Sequence, residues 1–181
     1  MGPNVRGENA VGHVTRPTPR WMTLSFVAVA VLAVDQALKE SVRSTFEPGD
    51  GVHLFGSYSI QHIQNPGVAG GGLQGNALPL AVLALMAMFL MYDFLARRGA
   101  GRVSLLLGFG LLIGGGLGNL VDRARLGFVT DPIRNGPNAF NIADIAIFAG
   151  GVIVLVVVIS SYVSTRLRSR TQSSSPTSNG A

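Results

Sequence analysis

Residues 139–163 read AFNIADIAIFAGGVIVLVVVISSYV, and Asp144 is the one charged side chain among them. A helix needs about 20 largely apolar residues to cross the hydrocarbon layer, so this stretch predicts a span that carries an acid near its start. Working outward, residues 21–38, 77–96 and 103–121 meet the same requirement. The expectation is an all-α membrane protein with four transmembrane helices. Composition agrees: of 181 residues 48% are hydrophobic and only 13% charged, against about 25% charged in soluble domains. That balance argues against a single soluble domain and against a disordered chain. The first stretch has no small-x-small cleavage site and runs directly into Asp35, Gln36 and Lys39, so it is expected to stay in the mature protein.

The absence of cysteine excludes a disulfide scaffold, a thiolate metal site, a cysteine nucleophile and lipid attachment to the chain itself. The net charge of +5 comes mostly from arginines that flank apolar runs, a pattern of membrane topology and not of nucleic-acid binding. The first, third and fifth non-membrane segments hold Arg6, Arg16, Arg20, Arg97, Arg98, Arg102, Arg166, Arg168 and Arg170. The second and fourth hold Lys39, Arg43, Arg123, Arg125 and Arg134, with Glu40, Glu47, Asp50, Asp122 and Asp131 among them. The positive-inside rule then puts both termini in the cytoplasm and residues near 39–76 and 122–138 on the opposite side. The expected organisation is a cytoplasmic tail at 1–20, a membrane domain at 21–165 and a disordered, Ser/Thr/Asn-rich cytoplasmic tail at 166–181. Within the first outer loop, Val52, Leu54, Tyr58 and Ile60 partly alternate with His53, Ser57, Ser59 and Gln61. That alternation predicts a short twisted sheet on the membrane surface. No internal repeat is visible, so symmetry gives an inverted-repeat transporter no support.

Ionisable groups at the edge of a span are costly and by default mark function. Four polar clusters fall at the outer face: Asp35-Gln36-x-x-Lys39; residues 65–72 from Asn65 through Gly72; Gly114 through Arg123, running on to Asp131; and Phe140-Asn141-Ile142-Ala143-Asp144. Each has a plain structural reading. Asp35 and Lys39 fit a helix-end anchor, and the glycines from Gly114 to Gly118 fit close helix packing. Asn119 and Asp122, with Arg123 beside them, fit a cluster that pins a helix end. Asn141 fits an N-cap that puts Asp144 at the third helical position. What shifts the balance is Asp131 and Asp144 together, thirteen residues apart across a connection that a hairpin can close. Two carboxylates held close in a partly desolvated site share a proton, so that one serves as base toward water and the other as acid. No Ser/His/Asp set competes, since His13 lies in the tail and His53 and His62 in the outer loop. Those two histidines also lack the fixed-spacing partners of a metal site.

In order and spacing, Asp35-Gln36-x-x-Lys39, Asn65-x-Gly67-x-Ala69, Gly118-Asn119-Leu120-x-Asp122-Arg123, Gly127-x-Val129-x-Asp131 and Phe140-Asn141-x-Ala143-Asp144 resemble the bacterial lipoprotein signal peptidase family, signal peptidase II, over roughly residues 20–163. The resemblance implies an intramembrane aspartyl endopeptidase of the cytoplasmic membrane. Such an enzyme cuts prolipoproteins just before a cysteine that already carries diacylglycerol, and needs no cofactor or metal. Asp131 and Asp144 would be its catalytic pair. Asp35, Lys39, Asn65, Gly67, Asn119, Arg123 and Asn141 would line the substrate site or hold the pair, and Asp122 would support the structure beside Arg123. Implied partners are diacylglyceryl-cysteine prolipoproteins, membrane lipid and globomycin-type inhibitors, with no nucleic acid. The implied fold is four transmembrane helices with a small extracytoplasmic β-cradle and a further helix over the site.

Three departures from the family pattern stand out. Pro132 follows Asp131 where the family has an aromatic or apolar residue, which removes an N–H and biases Asp131 toward extended backbone. Gly70, Gly71 and Gly72 follow Ala69 where an aromatic is usual, and Val68 replaces a smaller residue. The alternative these departures leave open is a noncatalytic paralogue that binds lipidated peptides. A transporter or channel would instead want charges near the midplane and broken helices in related halves.

Overall fold

Backbone polar groups have no water to bond with in a hydrocarbon layer, so long apolar runs resolve into helices. The computed structural model describes residues 20–67, 82, 84–86, 88–93 and 103–173. In chain order its elements are α1 (Arg20–Thr45), β1 (Gly51–Phe55) and β2 (Tyr58–Asn65), then the apolar helix α2 (Ala84–Asp93), α3 (Val103–Leu126), β3 (Val129–Asn135), β4 (Asn138–Phe140) and α4 (Ile142–Ser173). Three helical stretches among the described residues are long and apolar enough to cross a membrane: Met22–Thr45, Val103–Leu126 and Ile142–Arg166. Half of the predicted span at 77–96 falls outside the described residues, and α2 lies inside it. The last predicted span also starts later, because Ala139 and Phe140 belong to β4.

α3 is central, and its glycines explain why. A Cβ at Gly114 would lie 2.6 Å from the Ala28 carbonyl oxygen of α1, and one at Gly115 would lie 2.5 Å from the Ala143 carbonyl oxygen of α4. A Cβ at Gly108 would meet Val154 of α4, and one at Gly110 would meet Val27 of α1. Bare backbone on two faces therefore lets three helices approach closely, the small-residue mode of membrane helix packing. Below this contact Leu105, Phe109, Val154 and Val157 form an apolar core. Tyr92 of α2 packs edge-on against Phe109, with ring centres 5.5 Å apart. The outward faces stay apolar and exposed, as at Phe26 and Phe148, which suits a lipid surround.

The sheet is antiparallel in the order β1-β2-β3-β4. The strand alternation legible in residues 51–65 thus supplies only half of it. The other half comes from the second outer loop, and the β2–β3 ladder ties the two loops together. Gly56 and Gly136 turn the two hairpins at φ 57° and 58°, in the left-handed region that glycine enters freely. In the β2–β3 ladder Ile60 pairs with Ile133 and Ile63 with Asp131, so Gln61 and His62 together oppose Pro132. This bulge explains the proline. The Thr130 N–H points off the ladder to Asp122, and Pro132, at the same parity, lacks an N–H on that same unpaired side. Asp131 sits in extended strand between them.

Candidate active site

The C-terminal ends of α1 and α3, the strand β3 and the N-terminus of α4 converge at one end of the helices, where Asp35, Lys39, Asn119, Asp122, Thr130, Asp131 and Asn141 are buried. α1 presents Asp35 and Lys39 one turn apart on one face. The Lys39 ammonium, wholly buried, meets Asp35 Oδ2 at 2.8 Å, Asn119 Oδ1 at 3.0 Å and Asp122 Oδ2 at 3.2 Å. Its three protons therefore have three acceptors. Asp35 Oδ1 accepts the Ala143 N–H at 2.9 Å, filling one of the donors left orphaned by the first turn of α4. Asp122 accepts from the Thr130 N–H at 3.0 Å and from Gln36 Nε2 at 3.1 Å. Arg43 reaches Asp122 at 3.5 Å and Thr130 Oγ1 at 3.0 Å. Gly118 leaves room for all this, since a Cβ there would lie 2.5 Å from Asp35 Oδ2.

Against this cluster rest the two candidate acids. Asn141 is the N-cap of α4: its Oδ1 accepts the Asp144 N–H at 2.9 Å, and Asp144 Oδ2 accepts the Asn141 N–H at 3.3 Å. This is a reciprocal capping box. The same Asn141 donates from Nδ2 to Asp131 Oδ1 at 2.7 Å, so one amide holds both acids. Asn65 Nδ2 donates to Asp131 Oδ2 at 2.9 Å, and its own Oδ1 is fixed by the Gly67 N–H at 3.1 Å. Asn119 Nδ2 donates to Asp144 Oδ1 at 2.9 Å. Burial pushes the Asp131 carboxyl above the ordinary 3.8, and the negative charge of Asp144 adds to the rise; the Asn65 and Asn141 bonds and the Lys39 charge oppose it. Asp131 is buried while Asp144 is half-buried.

Of the residues singled out from sequence, Asp35, Lys39, Asn65, Gly67, Asn119, Asp122, Asp131, Asn141 and Asp144 fall into this one bonded network. Asp35 and Lys39 have no outer surface and touch the pair only through Asn119 and the α4 backbone. Arg123 lies at its margin, donating to the Asn119 carbonyl at 3.4 Å, with its Nε buried and unbonded. Residues 68–72, and the further helix implied over the site, lie outside the described residues. Gln36, quoted in the first polar cluster, has no role assigned from sequence, nor have Arg43 and Thr130. Arg43 follows Lys39 by four residues, so its helical phase was a usable signal; Thr130 joins through its backbone N–H and through its hydroxyl to Arg43, and the backbone bond leaves no mark in sequence. Among the described residues no group of three or more His, Cys, Asp or Glu side chains is arranged to hold a metal ion. His62 instead bonds the Phe46 carbonyl at 2.8 Å and ties β2 to the end of α1.

The pattern described as Signal peptidase (SPase) II matches this chain over residues 27–160. The lipoprotein signal peptidase of Moorella thermoacetica is 35% identical over 139 residues, covering 74% of this chain and 90% of that one. That of Shewanella oneidensis is 33% identical over 147 residues, covering 75% and 84%. A solved bacterial membrane enzyme, determined in meso at 2.3 Å resolution, superposes with a TM-score of 0.69 at 25% identity, covering 78% of this chain and 90% of that one. A second, at 1.9 Å resolution, gives 0.65 at 26% identity over 76% and 92%. With a family match across most of its length and relatives this close, the chain belongs to the signal peptidase II family.

Proposed function

We propose that Asp131 and Asp144 are the catalytic pair of this aspartic endopeptidase, which removes signal peptides from prolipoproteins. The cut falls just before the diacylglyceryl-modified cysteine. The observation that carries the assignment is Asn141, whose single amide bonds Asp131 at one end and caps Asp144 at the other. The two carboxyls are thereby locked in mutual orientation, as acid–base work on one water requires.

The ionised carboxylate takes a proton from water as its oxygen attacks the scissile carbonyl carbon, and the protonated partner gives its proton to the carbonyl oxygen. The resulting tetrahedral diol collapses by breaking the C–N bond: the first carboxyl passes its proton to the leaving amine, and the second, now ionised, takes the proton of a diol hydroxyl as the C=O forms, which restores the pair. No cation forms an ion pair with either acid among the described residues, so the charge of the base is not quenched. Arg123, at the margin of the network, braces the Asn119 carbonyl and borders the substrate site. Asn65, Gly67, Asn119 and Asn141 hold the pair, while Asp35, Lys39 and Asp122 hold those residues.

The reading includes four transmembrane helices, both termini in the cytoplasm and the site at the extracytoplasmic face of the cytoplasmic membrane, supported by the arginine distribution. A substrate with two acyl chains stays in the bilayer, at about 0.8 kcal/mol for each buried CH₂, and reaches the site laterally; globomycin-type inhibitors compete there. The test is incubation of the purified protein in lipid with a diacylglyceryl-modified prolipoprotein. A shortened product, lost with globomycin and in Asp131→Asn and Asp144→Asn, is expected. Unchanged cleavage by either variant overturns the assignment.

A further inference from the structure

The register of the sheet sorts its side chains onto two faces, because cross-strand partners point to the same side. Val52, Ile60, Ile133 and Phe140 are successive partners across β1, β2, β3 and β4, so they form one apolar row. Three strand spacings make that row about 14 Å long. His53, Ser59, Arg134 and Ala139 form the neighbouring row, which lies on the other face. Strict alternation would put Phe55 on that second face with His53. Leu54 is an extra residue between the pairs His53–Ser59 and Phe55–Tyr58, and this bulge returns Phe55 to the apolar face. There its ring lies 5.4 Å from that of Tyr58. The surface is most open at its β1 end, with Phe55 67% and Val52 48% exposed. Apolar side chains gathered on one face of a sheet whose other face is polar mark a contact with something apolar.

Two observations identify that contact. Asp131, two residues before Ile133 in β3, lies on the apolar face, and its carboxyl bonds Asn141 at the N-cap of α4. The apolar face therefore looks toward the helices, and the His53 face away from them. The row also ends at Phe140, which leads directly into α4, where Ile145 and Phe148 are exposed. The apolar row thus begins where the lipid-facing surface of α4 begins. We propose that the β1–β2 hairpin is a membrane anchor: Val52, Phe55 and Tyr58 lie among the upper acyl chains of the adjoining leaflet, with His53, Ser59 and Arg134 toward water. An aromatic pair with one phenolic hydroxyl suits that depth, where a ring meets lipid and its polar tip meets headgroups. The anchor keeps the face that carries Asp131 against lipid, where an acyl-anchored substrate arrives. The proposal rests on α1, α3 and α4 spanning a bilayer, not on which residues are catalytic.

Tryptophan fluorescence tests it. Trp21 is the single tryptophan of the chain, so Trp21→Phe gives a silent background. On that background Phe55→Trp and Tyr58→Trp, made one at a time, report the apolar face, and His53→Trp reports the other. The full-length protein is placed in phosphatidylcholine vesicles with bromine on the acyl chains. Emission from Phe55→Trp and Tyr58→Trp is expected to be lost relative to unbrominated vesicles, and emission from His53→Trp to be kept. Iodide in the buffer is expected to quench His53→Trp alone. Iodide quenching all three alike overturns the proposal, and so does equal bromolipid quenching on both faces. Protection from iodide that grows with the protein-to-lipid ratio assigns the face to a second copy of the chain. Protection that needs added prolipoprotein assigns it to substrate; either result overturns the anchor. The two apolar-face variants are read separately, so one that fails to fold leaves the other to decide. No readout needs cleavage, so the anchor and the peptidase reading can fail independently.

Discussion

Two acidic pairs lie side by side at this end of the molecule, and they are handled in opposite ways. Asp35 and Asp122 share the Lys39 ammonium and are almost wholly buried; the Ala143 N–H takes the other oxygen of Asp35, and Gln36 and Arg43 take that of Asp122. Asp131 and Asp144 receive neutral amide and backbone donors, and no cation bonds either one among the described residues. A buried acid paired with a cation is an ionised, inert strut. An acid served by neutral donors beside a second acid keeps a mobile proton. On the proposed assignment, the chemistry at this site follows from which pair was given the lysine.

The comparison can be broken by substitution, and the largest effect belongs to the unquenched pair. Asp131→Asn and Asp144→Asn are each expected to lower kcat by about 10⁴-fold, while the protein still inserts and binds globomycin; gel-shift cleavage assays and inhibitor binding check this. The quenched pair should respond in stability instead. Lys39→Met leaves buried Asp35 without a cation and Asp122 with Arg43 at 3.5 Å, and is expected to cost about 3–5 kcal/mol, read as a lowered thermal midpoint in detergent. Gly118→Ala pushes a methyl against Asp35 Oδ2, at 2.5 Å before relaxation, and is expected to cost about 1–3 kcal/mol, which denaturant unfolding can measure.

A gentler test uses pH. Because burial raises the Asp131 carboxyl in the folded state, the fold retains a proton that the unfolded chain releases near the ordinary 3.8. Stability is therefore lost as pH climbs from that value through the raised one. Asp131→Asn removes this loss, so the variant is expected to melt above the parent at neutral pH, with the gap closing in acid. Thermal melts of both proteins across that range check the sign. The smallest effect is expected from Glu40→Ala, which removes an exposed partner of Arg43 at 2.9 Å and should change stability by about 1 kcal/mol or less. A larger drop would mean that Arg43 needs Glu40 to reach Asp122 and Thr130.

Much of this was legible before any coordinates. The apolar runs at 21–38, 103–121 and 139–163 correspond to α1, α3 and α4, because span length and apolarity are local properties. The Asn141–Asp144 cap was legible because a capping box is written in four consecutive residues. The sheet was half legible: residues 51–65 alternate visibly, whereas 129–140 contain a proline and a turn that mask their pairing. α1 runs to Thr45, beyond the predicted end at 38, because the buried partners of Lys39 and Arg43 stabilise polar turns that composition alone would end.

Residue type and spacing decided that this chain makes long apolar helices and gathers carboxylates, amides and a lysine at one end of them. They could not decide which carboxylates the lysine takes. That choice depends on glycines in α3 that let Asp35 and Asn119 come within reach, and on a bulge opposite Pro132 in the strand that carries Asp131. A side chain fixes what bonds it can form; only the packing of distant segments fixes with whom, because hydrogen bonds and ion pairs act over a few ångströms and chain separation says nothing about that distance.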